Sequence, residues 1–230
     1  MSIPLPKNIK FEDVKDNSAT LVIEPLYPGY GTTVGNLLRR VLISSLEGVA
    51  VERVKIEGLT HEFTTIDYVK EDVVDIILNI KQIRIKAKTK LTEPVEMTLD
   101  VQGEKEVKAG DIQTPGDIEI VNPDLHIATV TDQAGSLRIV FTVGTGIGYV
   151  TVEQRDNKTD EVGVIEVDSI YSPIVRVGMN IENVRVDKMT NFDKLLLNIV
   201  TDGTRTPQEA VQEAIDIIQS HINLIDDNIK

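Results

Sequence analysis

The chain has 230 residues, of which 41% are hydrophobic and 27% are charged, so it contains enough apolar material for a buried core. It carries 24 Lys and Arg residues against 37 Asp and Glu residues, a formal net charge of -13. Charge of that sign opposes the attraction to phosphate on which sequence-independent nucleic-acid binding depends, so direct DNA or RNA binding by the whole chain is not expected.

The N-terminal part of the chain predicts one strand and one helix. The strand is Ala19 to Ile23, which is expected to stop at Pro25 and Pro28. The helix is predicted from Thr32 to Leu46, because its apolar residues recur with the 3.6-residue period of one helical face, and Gly48 is expected to mark its end. These apolar residues are Val34, Leu37, Leu38, Val41, Leu42 and Leu46.

Residues 50 to 169 predict a β-rich domain, because short runs of Val, Ile and Thr alternate with Gly, Pro, Asn and Asp. One helix is predicted inside it, from about Ile66 to Lys81, with Ile66, Val69, Val73, Ile77 and Ile80 on one face. The predicted strands are Arg53 to Ile56, Ile83 to Lys86, Val95 to Val101, Ile118 to Val121, Ile127 to Val130 and Leu137 to Val143.

The pattern changes again after Asp168. Two strands are predicted, Ile181 to Val186 and Leu195 to Val200, joined by the polar segment Asp187 to Lys194. A helix is then predicted from Pro207 to about Asn228. Its start combines a Thr cap, a Pro at the first helical position and a Glu three residues after the cap, which together form a capping box.

The last predicted helix carries apolar residues in a heptad pattern, and this pattern favours a partner helix. The residues are Val211, Ile215, Ile218, Ile222, Ile225 and Ile229. Packing of this heptad face on the chain's own sheet is the alternative. Ala210, Ala214 and Ile217 form a second apolar face, so the helix could bury that face in its own domain and present the heptad face outward. The second face therefore favours self-association.

Two glycine clusters require an interpretation. Gly29, Gly31 and Gly35 lie between a strand and a helix, where dinucleotide-binding folds bind pyrophosphate, but their spacing is G-x-G-x-x-x-G rather than G-x-G-x-x-G. A structural turn is favoured, and a nucleotide-dependent enzyme is the alternative. The segment from Gly144 to Gly148 is interpreted as a bend or bulge in the β-rich domain.

The residues supply no recognisable catalytic or metal-binding motif. The chain has no Cys, which excludes disulfides and thiolate sites. His61 and Glu62 resemble the start of a zinc-protease H-E-x-x-H motif, but Thr65 stands at the position of the second His. The sequence also lacks a secretion signal and a run long enough to span a bilayer, so an intracellular, cytoplasmic location without membrane association is expected.

Arg39 and Arg40 are adjacent cations off the apolar face of the first predicted helix. One interpretation is a solvated helix face in which these residues pair with Glu47. The other is an anchor for a protein partner, because guanidinium groups are favoured at the centres of interfaces.

Five stretches of the chain, in the same order, resemble one protein family. The match extends over essentially the whole chain, and the chain is similar to the N-terminal, assembly part of the bacterial RNA polymerase α subunit. The stretches are Gly29 to Ser45, Gly58 to Thr65, Ile118 to Ala128, Asp168 to Arg176 and Val184 to Pro207.

The resemblance implies an α+β fold in which a discontinuous α/β dimerisation domain contains an inserted β-rich domain. The expected bounds are residues 1–49 and 170–230 for the dimerisation domain and residues 50–169 for the inserted, large-subunit-binding domain. The implied function is a non-catalytic scaffold that forms a homodimer and binds the β and β′ catalytic subunits. The chain itself would need no cofactor or metal, since the catalytic magnesium is expected in the large subunits.

The resemblance also implies functional residues. The β subunit contact falls on Arg40, with Ile43 and Arg39 beside it. A large-subunit contact, with β or β′, falls on Lys81, and another falls on Tyr171, Ser172 and Pro173. The expected dimer interface comprises Leu38, Val41, Leu42, Val211, Ile215, Ile218, Ile222 and Ile225.

The chain departs from the family pattern at two places. It reads Gly146, Ile147, Gly148 and Tyr149 where many relatives have G-R-G-Y, so no basic residue is expected to act there. It ends at Lys230, whereas the family continues through a linker into a second, DNA-binding domain. The chain is therefore either a truncated form or a variant without that domain, and direct contact with promoter DNA is not expected of it.

Overall fold

The computed structural model describes residues 3–59, 61–89, 91–155, 161–186 and 189–229. Over these residues the chain forms helices and a larger number of strands, which confirms the α+β class. The helices are α1 (Tyr30–Ser44), α2 (Val73–Ile80) and α3 (Pro207–Ile229). The strands are β1 (Asn8–Lys15), β2 (Ser18–Leu26), β3 (Glu47–Ile56), β4 (Ile85–Ala87), β5 (Val95–Gln102), β6 (Lys105–Lys108), β7 (Ile118–Ile120), β8 (His126–Val130), β9 (Ser136–Ile147), β10 (Tyr149–Val150), β11 (Val164–Glu166), β12 (Ser169–Ile170), β13 (Ile174–Val186) and β14 (Met189–Thr201).

The chain divides into two compact units. One, called here the two-segment unit, consists of Met1–Leu46 and Ser172–Lys230. The other, called the inserted unit, is Glu47–Tyr171. These bounds lie close to the sequence boundaries at residues 49 and 169. The roles of the two domains in dimerisation and large-subunit binding stay predictions.

The two-segment unit is an antiparallel sheet covered by two helices. The strand order is β1-β2-β14-β13, so strands from the two ends of the chain pair in the middle of the sheet. Leu195 lies opposite Ile23 and Leu197 lies opposite Leu21, which places apolar side chains in register. These residues form one core with Leu38, Leu42 and Leu46 of the first segment and with Ala210, Val211 and Ala214 of α3.

The inserted unit is built on a second sheet with its own core. Its strands follow the order β5-β9-β3-β4-β7, and β11 pairs with β3. Two short ladders, β6 with β8 and β10 with β12, complete the unit. Helix α2 buries Val73, Ile76 and Ile80 in this core, where they pack with residues such as Phe141 and Leu99. A β-rich domain with one helix was predicted for this part of the chain.

The structure corrects two boundaries near the N-terminus. Strand β2 continues through Pro25, where the register of its pairing with β14 shifts. A proline is tolerated at such an irregularity because the regular ladder is interrupted there. Helix α1 begins at Tyr30 and ends at Ser44, and Gly48 lies inside β3 rather than at the end of the helix.

The helix predicted from Ile66 to Lys81 is wrong in its first half. Tyr68 has a φ of 63°, which a right-handed helix does not allow. Glu71 uses its carboxylate to accept a 2.6 Å hydrogen bond from the backbone N–H of Thr129. Helix α2 instead starts after Asp72, whose side chain accepts a 2.7 Å hydrogen bond from the N–H of Asp75. The helix therefore begins at the N-cap Asp72, although the apolar spacing had suggested that it begins at Ile66.

The two C-terminal strands are longer than predicted, whereas the last helix is as predicted. Strand β13 starts at Ile174, and residues 189–194 of the predicted polar connection belong to β14, while residues 187 and 188 lie outside the described residues. The capping box of α3 is confirmed. The N–H of Thr206 donates to Glu209 at 2.8 Å, and the N–H of Glu209 donates to the Thr206 hydroxyl at 3.3 Å.

Candidate protein-interaction surfaces

The glycine-rich turn before α1 is held by a carboxylate from β14. The backbone N–H groups of Gly29 and Gly31 donate to Oδ2 of Asp193 at 2.9 and 3.0 Å. A Cβ atom on Gly31 would lie 2.9 Å from Oδ2 of Asp193, and one on Gly35 would lie 2.6 Å from Sδ of Met179. A side chain at either position would have to displace these groups, because the helix approaches the sheet closely.

This arrangement decides between the two interpretations of the turn. In a dinucleotide-binding fold, the N–H groups at the start of the helix bind a phosphate. Here the buried carboxylate of Asp193 already accepts from those groups, and it would repel a second anion. The turn is therefore structural, as the sequence analysis favoured, and the nucleotide-dependent enzyme loses its candidate site.

The polar face of α1 presents two exposed cations. Arg39 and Arg40 are exposed, and within the described residues neither guanidinium forms an ion pair. The predicted pairing with Glu47 inside the helix is not formed, because α1 ends at Ser44 and Glu47 begins β3. Ile43, one turn after Arg40, keeps 44% of its surface exposed. This face is available to a partner.

Three residues predicted for the dimer interface lie in the protomer's own core. Leu38 and Leu42 of α1 are 6% and 0% exposed, and Val211 of α3 is 4% exposed. Their side chains fill the space between the helices and the sheet, so they have almost no surface left for a second copy. The assignment of these three residues to a dimer interface stays a prediction. Val41 is half-buried against the same core.

The second half of α3 leaves its heptad residues exposed. Ala210 and Ala214 are buried, and Ile217 packs against the same core, as expected for the second apolar face. From residue 219 to residue 229 every residue of the helix is exposed. The exposed heptad residues are Ile215, Ile222, Ile225 and Ile229, at 40%, 56%, 59% and 78%, and Ile218 is half-buried.

Lys81 follows the last residue of α2 and is paired with Asp168. Its Nζ lies 3.0 Å from Oδ2 of Asp168, and 21% of the lysine side chain is exposed. The hydrogen bond from the N–H of Val152 holds the pKa of Asp168 below its usual value, with Lys81 and Tyr149 adding to the effect against burial. The pair borders a groove lined by Phe63, Val74, Ile77 and Leu78.

The segment Tyr171, Ser172 and Pro173 is mostly buried in the unbound chain. Tyr171 is 5% exposed, Pro173 is buried and Ser172 is half-buried. In the unbound chain Tyr171 and Pro173 thus present little surface, and their assignment as large-subunit contacts stays a prediction.

Tyr171 instead lies at the centre of a tight packing arrangement in the inserted unit. Its hydroxyl donates a 2.7 Å hydrogen bond to Glu52, and burial together with this bond raises the pKa of Tyr171 to about 12. A Cβ on Gly146 would meet its ring, and one on Gly48 would overlap its carbonyl oxygen. Both glycines are therefore packing residues, and Ile147 between Gly146 and Gly148 is 53% exposed.

A partly buried ion network that sequence reasoning missed lies beside Tyr171. Arg155 donates to Glu166 at 2.7 Å, to the hydroxyl of Ser169 at 2.8 Å and to the carbonyl of Glu52 at 2.9 Å. Arg53 donates to the other oxygen of Glu166 at 2.8 Å. No local sequence pattern marks these residues, because the contacts join segments that are distant in the chain.

Within the described residues, no group of three or more His, Asp or Glu side chains is arranged to hold a metal ion, and His61 and Glu62 belong to no such group. No helix in the described ranges is long and apolar enough to cross a membrane.

Comparison with known proteins gives one consistent family. The family model described as the RNA polymerase Rpb3/RpoA insert domain matches residues 54–172. The DNA-directed RNA polymerase subunit alpha of Symbiobacterium thermophilum is 50% identical over 91% of this chain and 66% of its own length. The corresponding subunits of Aquifex aeolicus and Clostridium kluyveri are 45% and 48% identical, over 96% and 97% of this chain and 69% and 70% of their own lengths.

The chain spans about two thirds of the length of these relatives. The matched model covers the inserted unit from residue 54 onward, and the relatives match both units. These matches confirm the resemblance carried by the five ordered stretches. The chain belongs to the family of DNA-directed RNA polymerase alpha subunits.

Proposed function

We propose that this chain is the non-catalytic assembly platform of a bacterial, cytoplasmic RNA polymerase. Two copies associate, and the dimer binds the β and β′ subunits. Nucleotidyl transfer and its magnesium belong to those large subunits, so this chain acts only by binding and orienting them. Its net charge of -13 agrees with a role in protein contacts rather than in holding DNA.

The observation that carries the proposal is the exposed heptad face of α3. Ile222 and Ile225 are 56% and 59% exposed although they repeat with the period of a helix–helix interface. Full burial of an isoleucine side chain contributes about 1.5–3 kcal/mol, so covering the exposed half of each contributes about 1 kcal/mol. A second copy of α3 offers the matching surface, and symmetry doubles the gain.

The β subunit is proposed to bind the polar face of α1. Arg40 has no ion-pair partner within the described residues, and Ile43 adds apolar area one turn along the helix. Arg39 lies beside them. An exposed guanidinium next to an apolar side chain is a combination that occurs at the centres of interfaces. In the proposed dimer, one protomer binds β through this face and the other protomer engages β′.

Light scattering on a size-exclusion column tests the platform. The chain is run alone and mixed with a bacterial β subunit, as wild type, as Arg40→Ala and as Arg138→Ala. Arg138 is the matched control, because its side chain is 59% exposed in the inserted unit. We expect a mass near twice 25.5 kDa for all three variants. We expect binding to β for wild type and Arg138→Ala but not for Arg40→Ala.

Two results would contradict the proposal. A stable monomer would remove the exposed face of α3 as an interface. A dimer that binds neither β nor β′ would show that this chain does not have the proposed assembly function.

A further inference from the structure

Lys81 does not project freely into solvent. Its ammonium lies 3.0 Å from Oδ2 of Asp168, and only 21% of its side chain is exposed. A lysine that is free to move loses rotamer freedom when a partner binds it. Here Asp168 has already selected one position of the ammonium in the unbound chain.

Asp168 is itself held by two further donors. The N–H of Val152 donates to Oδ1 at 2.9 Å, and the hydroxyl of Tyr149 donates to Oδ2 at 3.0 Å. Both carboxylate oxygens are therefore engaged. The hydrogen bond from Val152 keeps the pKa of Asp168 low, so the carboxylate is charged at neutral pH.

The Lys81–Asp168 pair lines a groove of the inserted unit, whose walls combine apolar side chains with the carboxylates of Glu62 and Glu166. Phe63 is 78% exposed and Leu78 is 51% exposed, so the groove presents apolar surface beside a fixed ion pair. An ammonium has three N–H donors, and within the described residues Asp168 accepts the only side-chain hydrogen bond of Lys81. Donors therefore remain for a partner.

We propose that Asp168 is a positioning residue for large-subunit binding, because it holds the Lys81 ammonium at the edge of this groove. The inference rests on the proposed function. The docking segment of the large subunit would insert an apolar side chain into the groove and place a carboxylate or carbonyl oxygen at Lys81. Ordering Lys81 in advance lowers the entropy lost on binding.

A simple electrostatic view gives the opposite expectation. If Asp168 only neutralised Lys81, its removal would leave a stronger cation and would tighten the binding of an acidic or carbonyl partner. Positioning requires that loss of Asp168 weaken binding. It also requires that the loss have no effect once Lys81 has been removed. The direction of the change and its dependence on Lys81 therefore separate the two views.

The test is a double-mutant cycle on the intact dimer. Dissociation constants are measured for the β subunit and for the β′ subunit with wild type, Lys81→Met, Asp168→Asn and the double variant. For the large subunit that contacts Lys81, we expect Lys81→Met to weaken binding about tenfold and Asp168→Asn to weaken it about fivefold. The double variant should be no weaker than Lys81→Met alone.

A matched pair of variants guards against effects on folding and on net charge. Tyr149→Phe removes one donor to Asp168 from an exposed tyrosine, and we expect about two- to threefold weaker binding with an unchanged Tm. Glu96→Gln removes an exposed negative charge from β5 of the inserted unit and should leave binding unchanged. If Asp168→Asn lowers the Tm, its weaker binding could come from misfolding. The binding constant of Tyr149→Phe, at an unchanged Tm, then tests the positioning role.

The outcomes separate this inference from the platform itself. Wild type that binds neither large subunit overturns both proposals. Wild type that binds while Lys81→Met has no effect overturns only the positioning role. Tighter binding by Asp168→Asn, or additive losses in the double variant, also overturns only that role.

Discussion

The backbone N–H of Gly31 donates a 3.0 Å hydrogen bond to Oδ2 of Asp193, a residue 162 positions further along the chain. Asp193 also accepts from the N–H of Gly29, so one buried carboxylate caps the start of α1. This contact joins the two segments of the two-segment unit. A turn whose glycine content suggests a phosphate site is thus part of the unit's own packing.

Replacing Asp193 with Ala is expected to lower the free energy of unfolding by about 1–3 kcal/mol, because the N–H groups of Gly29 and Gly31 lose their acceptor. Asp193→Asn keeps a side-chain oxygen and should cost less. Urea denaturation at one fixed protein concentration measures both values. Equal midpoints for wild type and Asp193→Ala would show that the contact contributes nothing.

Gly48→Ala is expected to destabilise the inserted unit by about 3 kcal/mol or more, since the new Cβ would overlap the backbone carbonyl of Tyr171. Gly116→Ala is the control, because a Cβ there meets nothing within 4 Å. Its effect should stay within about 0.5 kcal/mol. Thermal unfolding followed by circular dichroism compares the two, and similar losses of Tm would contradict the packing argument.

The hydroxyl of Tyr171 is expected to make stability fall at alkaline pH. Its folded pKa of about 12 lies above the ordinary value of 10.0, so the protonated hydroxyl stabilises the fold. That contribution is complete below pH 10 and is lost as the pH rises through the folded pKa. About two pKa units correspond to about 2–3 kcal/mol.

Denaturant titrations between pH 9 and 12 measure this loss, with Tyr171→Phe as the comparison. The variant lacks the ionisable hydroxyl, so its stability should decline less over the same range. Parallel curves for the two proteins would mean that Tyr171 ionises as freely in the folded state as in the unfolded state.

Ile225→Asp is expected to give monomers, because it places an unpaired charge in the proposed helix–helix interface. Leu224→Asp is a closely matched control. Leu224 is 64% exposed and Ile225 is 59% exposed, but Leu224 lies off the heptad face. Ile218 is less suitable, since it also packs on the protomer's core. Sedimentation equilibrium reports the masses, and a dimer for Ile225→Asp would exclude this face from the interface.

Local signals in the sequence predicted both ends of α3 but placed the start of α2 several residues too early. The capping box at Thr206 and the heptad of isoleucines lie within a few residues of one another, so their meaning does not depend on the rest of the fold. At α2 the apolar spacing extends to residues before the cap at Asp72. The contact between Glu71 and Thr129, which joins distant segments, shows why those residues are not helical.

For the candidate surfaces too, the sequence predicted some residues, and the tertiary structure was needed for others. Helical periodicity predicted Arg39 and Arg40 off the apolar face of the first helix, whereas Ile43 was placed beside Arg40 by the family resemblance. It could not predict the burial of Leu42 and Val211 in the protomer's own core. Periodicity identifies an apolar face, but it does not say whether that face meets the chain's own sheet or a second chain.

By itself the sequence determined the fold class, the family, the absence of cysteine chemistry and the helix that carries the exposed heptad face. The tertiary structure alone decided that Asp193 closes the glycine turn and that Asp168 holds Lys81. The physical reason is the distance along the chain over which each interaction acts. Caps and periodicities act within about one or two helical turns, whereas these carboxylates reach their partners only after distant segments have packed together.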